Sequence, residues 1–501
     1  MGRAPGPLRR PASVSAGADM SEYHDQTAYA REAMMGHLLD WAHQPDPFKR
    51  YKHRDVLPLP QPRAPRAGFW DLALSDPPQP RPRNEPADAS DLAAILLMSA
   101  GITARTAAGM GDMGLRAPAS AGALYPAELY AVACGLDGLE DGLYHFDPEQ
   151  PGLHLLWPGQ LAGAAAKRLG AEPSGLTFFI TAMYWRSLWK YRQRAYRYCL
   201  LDSGHMLANL ELAVASCGLA PRSTADFADA SVGVFLGLAS DDEAALVGLS
   251  AGPPLSDPGP EEEGLPPFDL QAKALSARIG RDAEVLAAHA AGNLDEPLAP
   301  RSWPVLRPPA GSLQLPEPTS EPADLLEIIR SRRSRRNFLP AAIKEAEVSA
   351  LLKAALPAPG PCQATVLLGP GDDLEGGVYR YSPGLNVLTP IPTPPDDVRR
   401  AMAKAALGQL WVGQAAIVLV LWADLETLSE THGPRVYRHA MLEAGRAGQR
   451  LYLAATALGL GCCGVGAFYD EDAARHARLP EKGRALYLLA CGPVKGWGAK
   501  P

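Results

Sequence analysis

Hydrophobic residues recur at helical spacing in three long segments of the chain, at 196–219, 270–291 and 437–460. A shorter apolar run at 325–329 predicts the last turns of a further helix. The segments 142–148 and 377–383 each predict a strand that enters a turn at a proline, and the continuous apolar run at 415–423 predicts a buried strand. This mixture of helices and strands indicates the α+β class.

One stretch of the sequence occurs twice. Residues 196–218 align without gaps onto 437–459, at a constant spacing of 241 positions. The identical pairs include Tyr196/Tyr437, Arg197/Arg438, Leu201/Leu442, Gly204/Gly445, Leu210/Leu451, Leu212/Leu453 and Gly218/Gly459, and Asp202 matches Glu443. The strands predicted at 142–148 and 377–383 are a second similar pair. The chain is therefore predicted to contain two copies of one domain, an arrangement that commonly replaces a two-fold dimer.

The repeat and the local composition divide the chain into five parts. The two domains are predicted at 85–255 and 321–501, with an N-terminal extension at 20–84 and a Pro-rich connector with one helix at 256–320. Residues 1–19 are rich in Pro, Arg and Ala but lack an apolar run. They are predicted to form a disordered leader rather than a secretory signal, and Met20 could equally begin the chain.

Composition restricts the class of protein. A length of 501 residues exceeds one ordinary core, and the formal net charge of -7 argues against general nucleic-acid binding, which needs a basic face. The seven cysteines have neither CxxC spacing nor a regular framework, which is typical of reduced thiols in the cytoplasm. No apolar run reaches the length of a membrane span. We expect a cytoplasmic protein with no metal site, no membrane contact and no nucleic-acid partner.

A basic run, Arg332-Arg333-Ser334-Arg335-Arg336, follows the short predicted helix at 325–329. Guanidinium groups form forked, charge-assisted hydrogen bonds with phosphate oxygens, and the serine hydroxyl adds a neutral donor. The run therefore indicates a phosphate site. Taken alone, it is equally typical of a solvated basic face or a nucleic-acid patch.

Several motifs together resemble a known family. They are Arg116-Ala117-Pro118-Ala119-Ser120-Ala121-Gly122-Ala123-Leu124-Tyr125-Pro126 and residues 39–41, 44–49, 142–145, 189–191 and 194–198. This half resembles the SagB-type (ThcOx) dehydrogenases of the nitroreductase superfamily, although Pro118 and Ala119 are swapped against the usual order. Residues 332–338, 459–461 and 464–468 resemble a general nitroreductase. The resemblance covers most of the chain from about Tyr23. It implies two fused nitroreductase-like domains forming an intramolecular pseudo-dimer, with FMN at their interface.

The resemblance assigns FMN binding to two groups of residues. Arg332, Arg333, Ser334 and Arg336 would hold the phosphate, whereas Ser120, Ala121, Gly122, Gly464 and Gly466 are small enough for backbone to approach a flat ring. These small residues also fit ordinary glycine-rich turns. Residues 459–464 match the GxGxxG pattern, but a helix-like segment precedes them, so a Rossmann dinucleotide site is rejected.

The resemblance also assigns the chemistry to Lys190 and Tyr191. Family members that oxidise azolines to azoles are understood to use an adjacent Lys-Tyr pair for proton removal while a hydride leaves to the flavin. The neighbours Arg186, Arg192, Arg194 and Arg197 are expected to lower the pKa of Lys190 by like-charge repulsion, which makes it a better base. The alternative is that Lys190 lies on a basic surface.

Three classes of function are compatible with these residues. The first is an FMN-dependent oxidoreductase of SagB type that dehydrogenates azolines in a modified peptide. The second is an NAD(P)H-dependent nitroreductase-like enzyme for small electron-poor molecules, and the third is a non-catalytic flavin- or peptide-binding scaffold. The substrate, the electron acceptor and any higher oligomeric state stay open, although a pseudo-dimer could act as a monomer.

A comparison of the halves predicts one flavin site per chain. The N-terminal half has the loop at 120–122 but no Arg-Arg-Ser-x-Arg run, and at the repeat spacing Ser223 and Ala225 replace Gly464 and Gly466. The C-terminal half has the basic run and both glycines, but residues 359–363 stand where the small-residue loop is expected. Each half therefore retains what the other has lost.

Overall fold

The computed structural model describes residues 20–31, 38–52, 55–83, 85–108, 111–261, 272–305, 307–318, 321–371, 373–392 and 398–496. The predicted leader at 1–19 lies outside these residues. Within them, helices surround two separate seven-stranded antiparallel sheets, one in each half of the chain. The predicted α+β class with two fused domains is therefore confirmed.

The first sheet has the spatial order β1-β6-β5-β4-β7-β9-β8, and a separate ribbon pairs β2 with β3. The strands are β1 Leu57–Pro58, β2 Ile102–Ala108, β3 Gly111–Arg116, β4 Ala127–Ala133, β5 Gly142–Asp147, β6 Gly152–Pro158, β7 Ser174–Met183, β8 Pro221–Thr224 and β9 Glu243–Pro254.

The second sheet repeats this topology strand for strand, in the order β10-β13-β12-β11-β14-β16-β15. Its strands are β10 Leu313–Gln314, β11 Gln363–Leu368, β12 Gly377–Ser382, β13 Val387–Ile391, β14 Ile417–Asp424, β15 Gly461–Val465 and β16 Gly483–Gly492. The predicted strands at 142–148, 377–383 and 415–423 are thus found as β5, β12 and β14.

The α-helices of the described residues pack on the sheets and between the two domains. They are α1 Met20–Gln26, α2 Phe69–Ala73, α3 Ala89–Ala100, α4 Ala162–Leu169, α5 Tyr184–Tyr191, α6 Ala195–Ser216, α7 Asp229–Phe235, α8 Ala283–Ala291, α9 Leu325–Ser331, α10 Glu345–Ala355, α11 Val398–Ala405, α12 Leu425–His432, α13 Val436–Ala457 and α14 Asp470–His476. Short 3₁₀ turns lie at Trp41–His43, Ala121–Ala123, Arg192–Arg194 and Leu410–Gln414. None of these helices is long and apolar enough to cross a membrane.

The two repeated helices, α6 and α13, pack directly against each other at the centre of the molecule. A Cβ on Gly204 would lie 2.1 Å from the Leu442 carbonyl oxygen, and a Cβ on Gly445 would lie 2.1 Å from the Leu201 carbonyl oxygen. These reciprocal contacts are those of a two-fold interface, because the same pair of positions meets from both sides. Glycine is required at both because any side chain would separate the helix backbones.

Two equivalent ion-pair clusters connect the domains on either side of this crossing. Arg194 and Arg197 bind the carboxylate of Asp470 at 2.8 and 2.7 Å, and Arg435 and Arg438 bind that of Asp229 at 2.5 and 2.8 Å. The repeat spacing of 241 relates each residue of one cluster to a residue of the other: Arg194 to Arg435, Arg197 to Arg438 and Asp229 to Asp470. All these side chains are at most 10% exposed. The pseudo-two-fold therefore extends to buried charges, which are stable only when they are paired.

The extension and the connector complete the two domains. The extension supplies β1 to the first sheet, and the connector supplies β10 to the second. The helix predicted at 270–291 is wrong for 272–282, since α8 begins only at Ala283, where Asp282 caps its first turn. The preceding backbone instead pairs with the extension: Lys273 donates to the Arg50 carbonyl at 2.8 Å, and Asp46 donates to the Leu275 carbonyl at 2.7 Å. Tertiary pairing overrides the local helical pattern there.

Candidate functional site

The basic run follows α9 and lies between the two domains. Its backbone pairs with the second sheet, because Arg335 N–H donates to the Cys462 carbonyl at 2.9 Å. Arg332 is buried and reaches into the first domain, where its Nε donates to the Ala117 carbonyl at 2.9 Å and its Nη2 to the Arg116 carbonyl at 3.3 Å. The run therefore joins the second domain to the segment that leads into the small-residue loop of the first.

The members of the basic run differ in their roles. Arg333 donates to the hydroxyl and the carbonyl oxygen of Thr103 at 3.3 and 3.1 Å, so it is largely occupied by the β2–β3 ribbon. Ser334 and Arg336 are exposed, and the Nη1 group of Arg332 takes no part in the two bonds to the first domain. Of the four residues that the sequence analysis assigned to the phosphate, Arg332, Ser334 and Arg336 therefore keep a donor for an anion, whereas Arg333 is engaged with Thr103.

The small-residue loop forms a tight turn at Ala121–Ala123, in which Gly122 has a φ of 66°. Asp202 of α6 fixes this turn: its carboxylate accepts the Ser120 hydroxyl at 2.5 Å and the Ala121 N–H at 3.2 Å. Burial raises the pKa of Asp202 to about 7, and the bonds from the loop partly oppose that rise. The loop therefore rests on a buried acid that titrates near neutral pH.

A second contact attaches the loop to the other domain. Gln449 of α13 accepts the Ala119 N–H at 3.1 Å and donates from its amide nitrogen to the Ala117 carbonyl at 3.4 Å. The same amide oxygen lies 2.9 Å from Nδ1 of His205. The turn is thus positioned by one long helix from each domain.

Lys190 and Tyr191 end α5 directly beside the turn. A Cβ on Gly122 would lie 2.8 Å from both the Lys190 Nζ and the Tyr191 Oη, so the two side chains converge on this glycine. The pKa of Lys190 is lowered, as expected, but the cause is burial rather than repulsion. Three of the four neighbouring arginine charges are compensated, since Arg194 and Arg197 bind Asp470 and Arg186 binds Glu128.

Gly464 and Gly466 lie at the end of β15 and face tyrosines. A Cβ on Gly464 would lie 1.9 Å from the Tyr487 Oη, and one on Gly466 would lie 2.5 Å from the ring of Tyr198. The Gly464 N–H donates to the Tyr452 hydroxyl at 2.7 Å, and that hydroxyl is 3.0 Å from the Ser334 Oγ. Glycine is therefore required here for packing against aromatic side chains.

The predicted residues of both halves form one continuous set of contacts. Arg332 touches the segment before the turn, Gly122 touches Tyr191, and the ring of Tyr191 lies 4.0 Å from that of Tyr198. Tyr198 packs on Gly466, which completes the connection to β15 and the basic run. The vicinal Cys462 and Cys463 are buried free thiols, and burial raises the pKa of each, as expected for packing residues.

Sequence reasoning missed the side chains that support this set, namely Tyr198, Asp202, His205, Gln449, Tyr452 and Tyr487. The repeat contained a signal for some of them. At the spacing of 241, Gln449 stands opposite Ala208 and Tyr452 opposite Glu211, so polar or aromatic residues in α13 depart from their partners in α6. Such departures mark places where the two halves perform different tasks.

The pseudo-two-fold relates this set to a cavity of about 510 Å³ on the opposite side of α6 and α13. There Ser223 and Ala225 replace Gly464 and Gly466, while Glu211, Glu443 and Arg446 replace Tyr452, Asp202 and His205. Arg446 binds Glu211 at 2.6 Å and Glu443 at 3.2 Å, and it also binds Asp76. The second position is therefore lined by an arginine paired with three carboxylates.

Parts of the chain are similar in sequence to known proteins. The profile of the nitroreductase family matches residues 329–493. The nitroreductase-like protein MJ1384 of Methanocaldococcus jannaschii is 30% identical over 197 residues, which are 36% of this chain and 96% of that protein. The trifolitoxin-processing protein TfxB of Rhizobium leguminosarum bv. trifolii is 33% identical over 113 residues, 21% of this chain and 30% of TfxB.

A solved structure extends the similarity to the whole molecule. The crystal structure of a nitroreductase-like protein from Anabaena variabilis superposes with a TM-score of 0.75 and 26% identity, covering 95% of this chain and 99% of that one. The two-domain arrangement is therefore shared at full length. Together with the match to almost all of MJ1384, this shows that the chain belongs to the nitroreductase family of oxidoreductases.

Proposed function

We propose that this protein is an FMN-dependent oxidoreductase of SagB type that dehydrogenates azoline rings in a modified peptide. The observation that carries the proposal is the convergence of Lys190 and Tyr191 on Gly122. A base and a hydroxyl thereby meet the turn assigned to the flavin ring. The similarity to the trifolitoxin-processing protein, although limited to 21% of the chain, supports a peptide as the substrate.

The residues present fit FMN. The exposed Ser334 and Arg336, with the remaining donor of Arg332, suit a terminal phosphate, which forms strong hydrogen bonds with guanidinium groups. The turn at Ala121–Ala123 offers backbone without bulky side chains. Bound FMN would supply a two-electron acceptor, which none of the side chains can provide.

The side chains around the turn would then handle the proton. Lys190 is the base that takes the proton from the ring carbon, and its half-buried position increases its neutral fraction near neutral pH because burial lowers its pKa. Burial raises the pKa of Tyr191, so its hydroxyl stays protonated and can donate a hydrogen bond at the same point. The two side chains thus offer one acceptor and one donor.

The proposal is tested by replacing Lys190 with alanine. Holoenzyme is mixed without oxygen with a synthetic peptide that carries one thiazoline, and the loss of flavin absorbance and the loss of two hydrogens from the peptide are followed together. We expect Lys190→Ala to retain its flavin but to oxidise the peptide at least about 100-fold more slowly, because general-base catalysis contributes about that much or more.

Lys404 of α11 provides the control, since it is exposed and lies in the other domain. Lys404→Ala should match the wild-type protein in both readings. Unchanged peptide oxidation in Lys190→Ala would remove this lysine from the mechanism. The cofactor is identified separately by heat release and chromatography, and recovery of FAD alone would contradict the assignment of FMN.

A second candidate function is an NAD(P)H-dependent reductase for small electron-poor molecules. It is favoured by the two nitroreductase-like relatives, which match this chain over a greater length than the peptide-processing protein does. The two functions differ in the source of electrons. Rapid flavin reduction by NADPH, with turnover of a nitroaromatic compound and none of the thiazoline peptide, would favour this second function.

A further inference from the structure

A second cavity, of about 560 Å³, adjoins the C-terminal end of α5. Trp185 and Leu188 form its apolar wall, and Arg192, Arg278 and Arg281 bring three guanidinium groups to it. Its volume is within the range of small-molecule sites. Because Lys190 and Tyr191 lie between Leu188 and Arg192 in the chain, the backbone of the proposed catalytic pair lies within one helical turn of the residues that line the cavity.

Arg192 occupies a backbone conformation that favours glycine. Its φ of 50° and ψ of -135° place it in the left-handed half of the map, directly after the last residue of α5. Glycine adopts such a conformation readily because it lacks a Cβ. An arginine at such a position carries a conformational cost, and such costs are concentrated at functional sites.

Two of the three arginines at the cavity are available to bind an anion. Arg281 is paired with Asp242, with its Nε 2.7 Å from the carboxylate. Asp282 is occupied in capping the first turn of α8. The exposed side chains of Arg192 and Arg278, by contrast, have neither a hydrogen bond nor an ion pair with any described residue. The rim of the cavity is thus positive, although the chain as a whole is acidic.

The wall of the cavity is fixed rather than adaptable. The Trp185 Nε1 donates to the Ser276 hydroxyl at 3.0 Å, and a Cβ on Gly280 would lie 2.3 Å from the Trp185 ring. Gly280 is therefore needed for the connector to pack closely on this ring. The cavity combines a rigid apolar surface with guanidinium groups, which bind carboxylates through forked hydrogen bonds.

We propose that this cavity is a substrate subsite that binds a carboxylate-bearing residue of the peptide, close to the ring that is oxidised. The inference rests on the proposed peptide dehydrogenase function and names a feature of its substrate. An extended peptide advances by about 3.3 Å per residue and one helical turn is about 5.4 Å, so positions one to three residues from the ring are the ones to compare. The apolar wall would accept the methylene groups of a glutamate side chain.

The test compares peptides that differ in one carboxylate. Synthetic peptides with one thiazoline carry glutamate one, two or three residues to either side of the ring, each with a glutamine counterpart. Wild-type holoenzyme should show a KM about tenfold lower for glutamate at one of these positions. Arg192→Gly should remove most of that preference, change kcat less than KM, and raise the melting temperature because glycine adopts this backbone conformation readily.

Arg478 offers a matched control. It is also an exposed arginine with a positive φ, of 52°, but it lies in the second domain after α14. Arg478→Gly should raise the melting temperature without changing the KM for any peptide. Arg192→Lys should retain part of the preference for glutamate, because it keeps the charge but loses the fork.

The outcomes separate the inference from the function on which it rests. Oxidation of both peptides with equal KM by the wild-type protein would overturn the subsite and leave the peptide dehydrogenase function intact. The subsite would also be overturned if Arg192→Gly raised the KM for NADPH and left the glutamate preference unchanged. If no thiazoline peptide is oxidised, the proposed function falls and the subsite with it.

Discussion

Replacement of both Arg332 and Arg336 by alanine is expected to empty the protein of flavin. The proposed composite site predicts one phosphate position per chain, because the basic run is present in only one half of the sequence. Each hydrogen bond from a charged donor contributes about 1.5–3 kcal/mol. The buried Arg332, only 4% exposed, is placed at the upper end of this range, and the exposed Arg336 at about 1 kcal/mol.

These contributions add to about 4 kcal/mol, which corresponds to about a 1000-fold weaker affinity. A flavin held with a Kd of about 1 μM would then require about 1 mM for half-saturation, so gel filtration at micromolar protein would remove it. The assay is the ratio of flavin absorbance to protein concentration after that step. Wild-type protein should contain about one flavin per chain, and the double variant should contain almost none.

Two further variants keep this result interpretable. Arg332→Ala also breaks the bonds to Arg116 and Ala117, whereas Arg336→Ala leaves them intact, so the single variants separate phosphate binding from domain contact. Arg330 is exposed on α9, just before the run, and Arg330→Ala should retain its flavin. About two flavins per wild-type chain, or a folded double variant that keeps most of its flavin, would refute the composite site.

Two other predictions concern stability. Since burial raises the folded-state pKa of Asp202 to about 7, the folded protein binds this proton more tightly than the unfolded chain, and the stability from it is lost as the pH rises from about 4 through 7. In urea unfolding, the free energy of unfolding of Asp202→Asn relative to that of the wild type should therefore be higher at pH 8 than at pH 5. A difference that does not depend on pH would contradict this. Gly204→Ala or Gly445→Ala should each lower the free energy of unfolding by about 3 kcal/mol, because the new Cβ would overlap a carbonyl oxygen at 2.1 Å. Gly233→Ala in α7, where a Cβ would meet nothing within 4 Å, should be neutral or slightly stabilising, and equal losses in all three would reject the close helix crossing.

The sequence allowed the domain pairing to be predicted because repetition records symmetry directly. Gly204 and Gly445 occur at the same place in the two copies, and the structure brings them together at the helix crossing. The strands predicted near 142 and 377 occupy equivalent places in the two sheets. Patterns that depend on duplication are thus readable without coordinates.

Features that depend on distant contacts were not predictable in the same way. The backbone at 272–282 has helical periodicity, but it hydrogen-bonds to the N-terminal extension, a partner more than 200 residues away in sequence. Asp202 was visible only as the counterpart of Glu443, since nothing local shows that its carboxylate would support the Ser120 turn. The charges near Lys190 were likewise misjudged, because Asp470 compensates Arg194 and Arg197 from the other domain.

The covalent link between the two halves has a consequence for dilution. In a homodimer that builds its site from both subunits, each site disappears when the subunits separate at low concentration. Here α6 and α13 belong to one chain, so their encounter is intramolecular and has an effective concentration set by the connector rather than by the protein in solution. The composite site should accordingly keep its cofactor when the protein is diluted. Activity per chain should stay constant down to nanomolar protein.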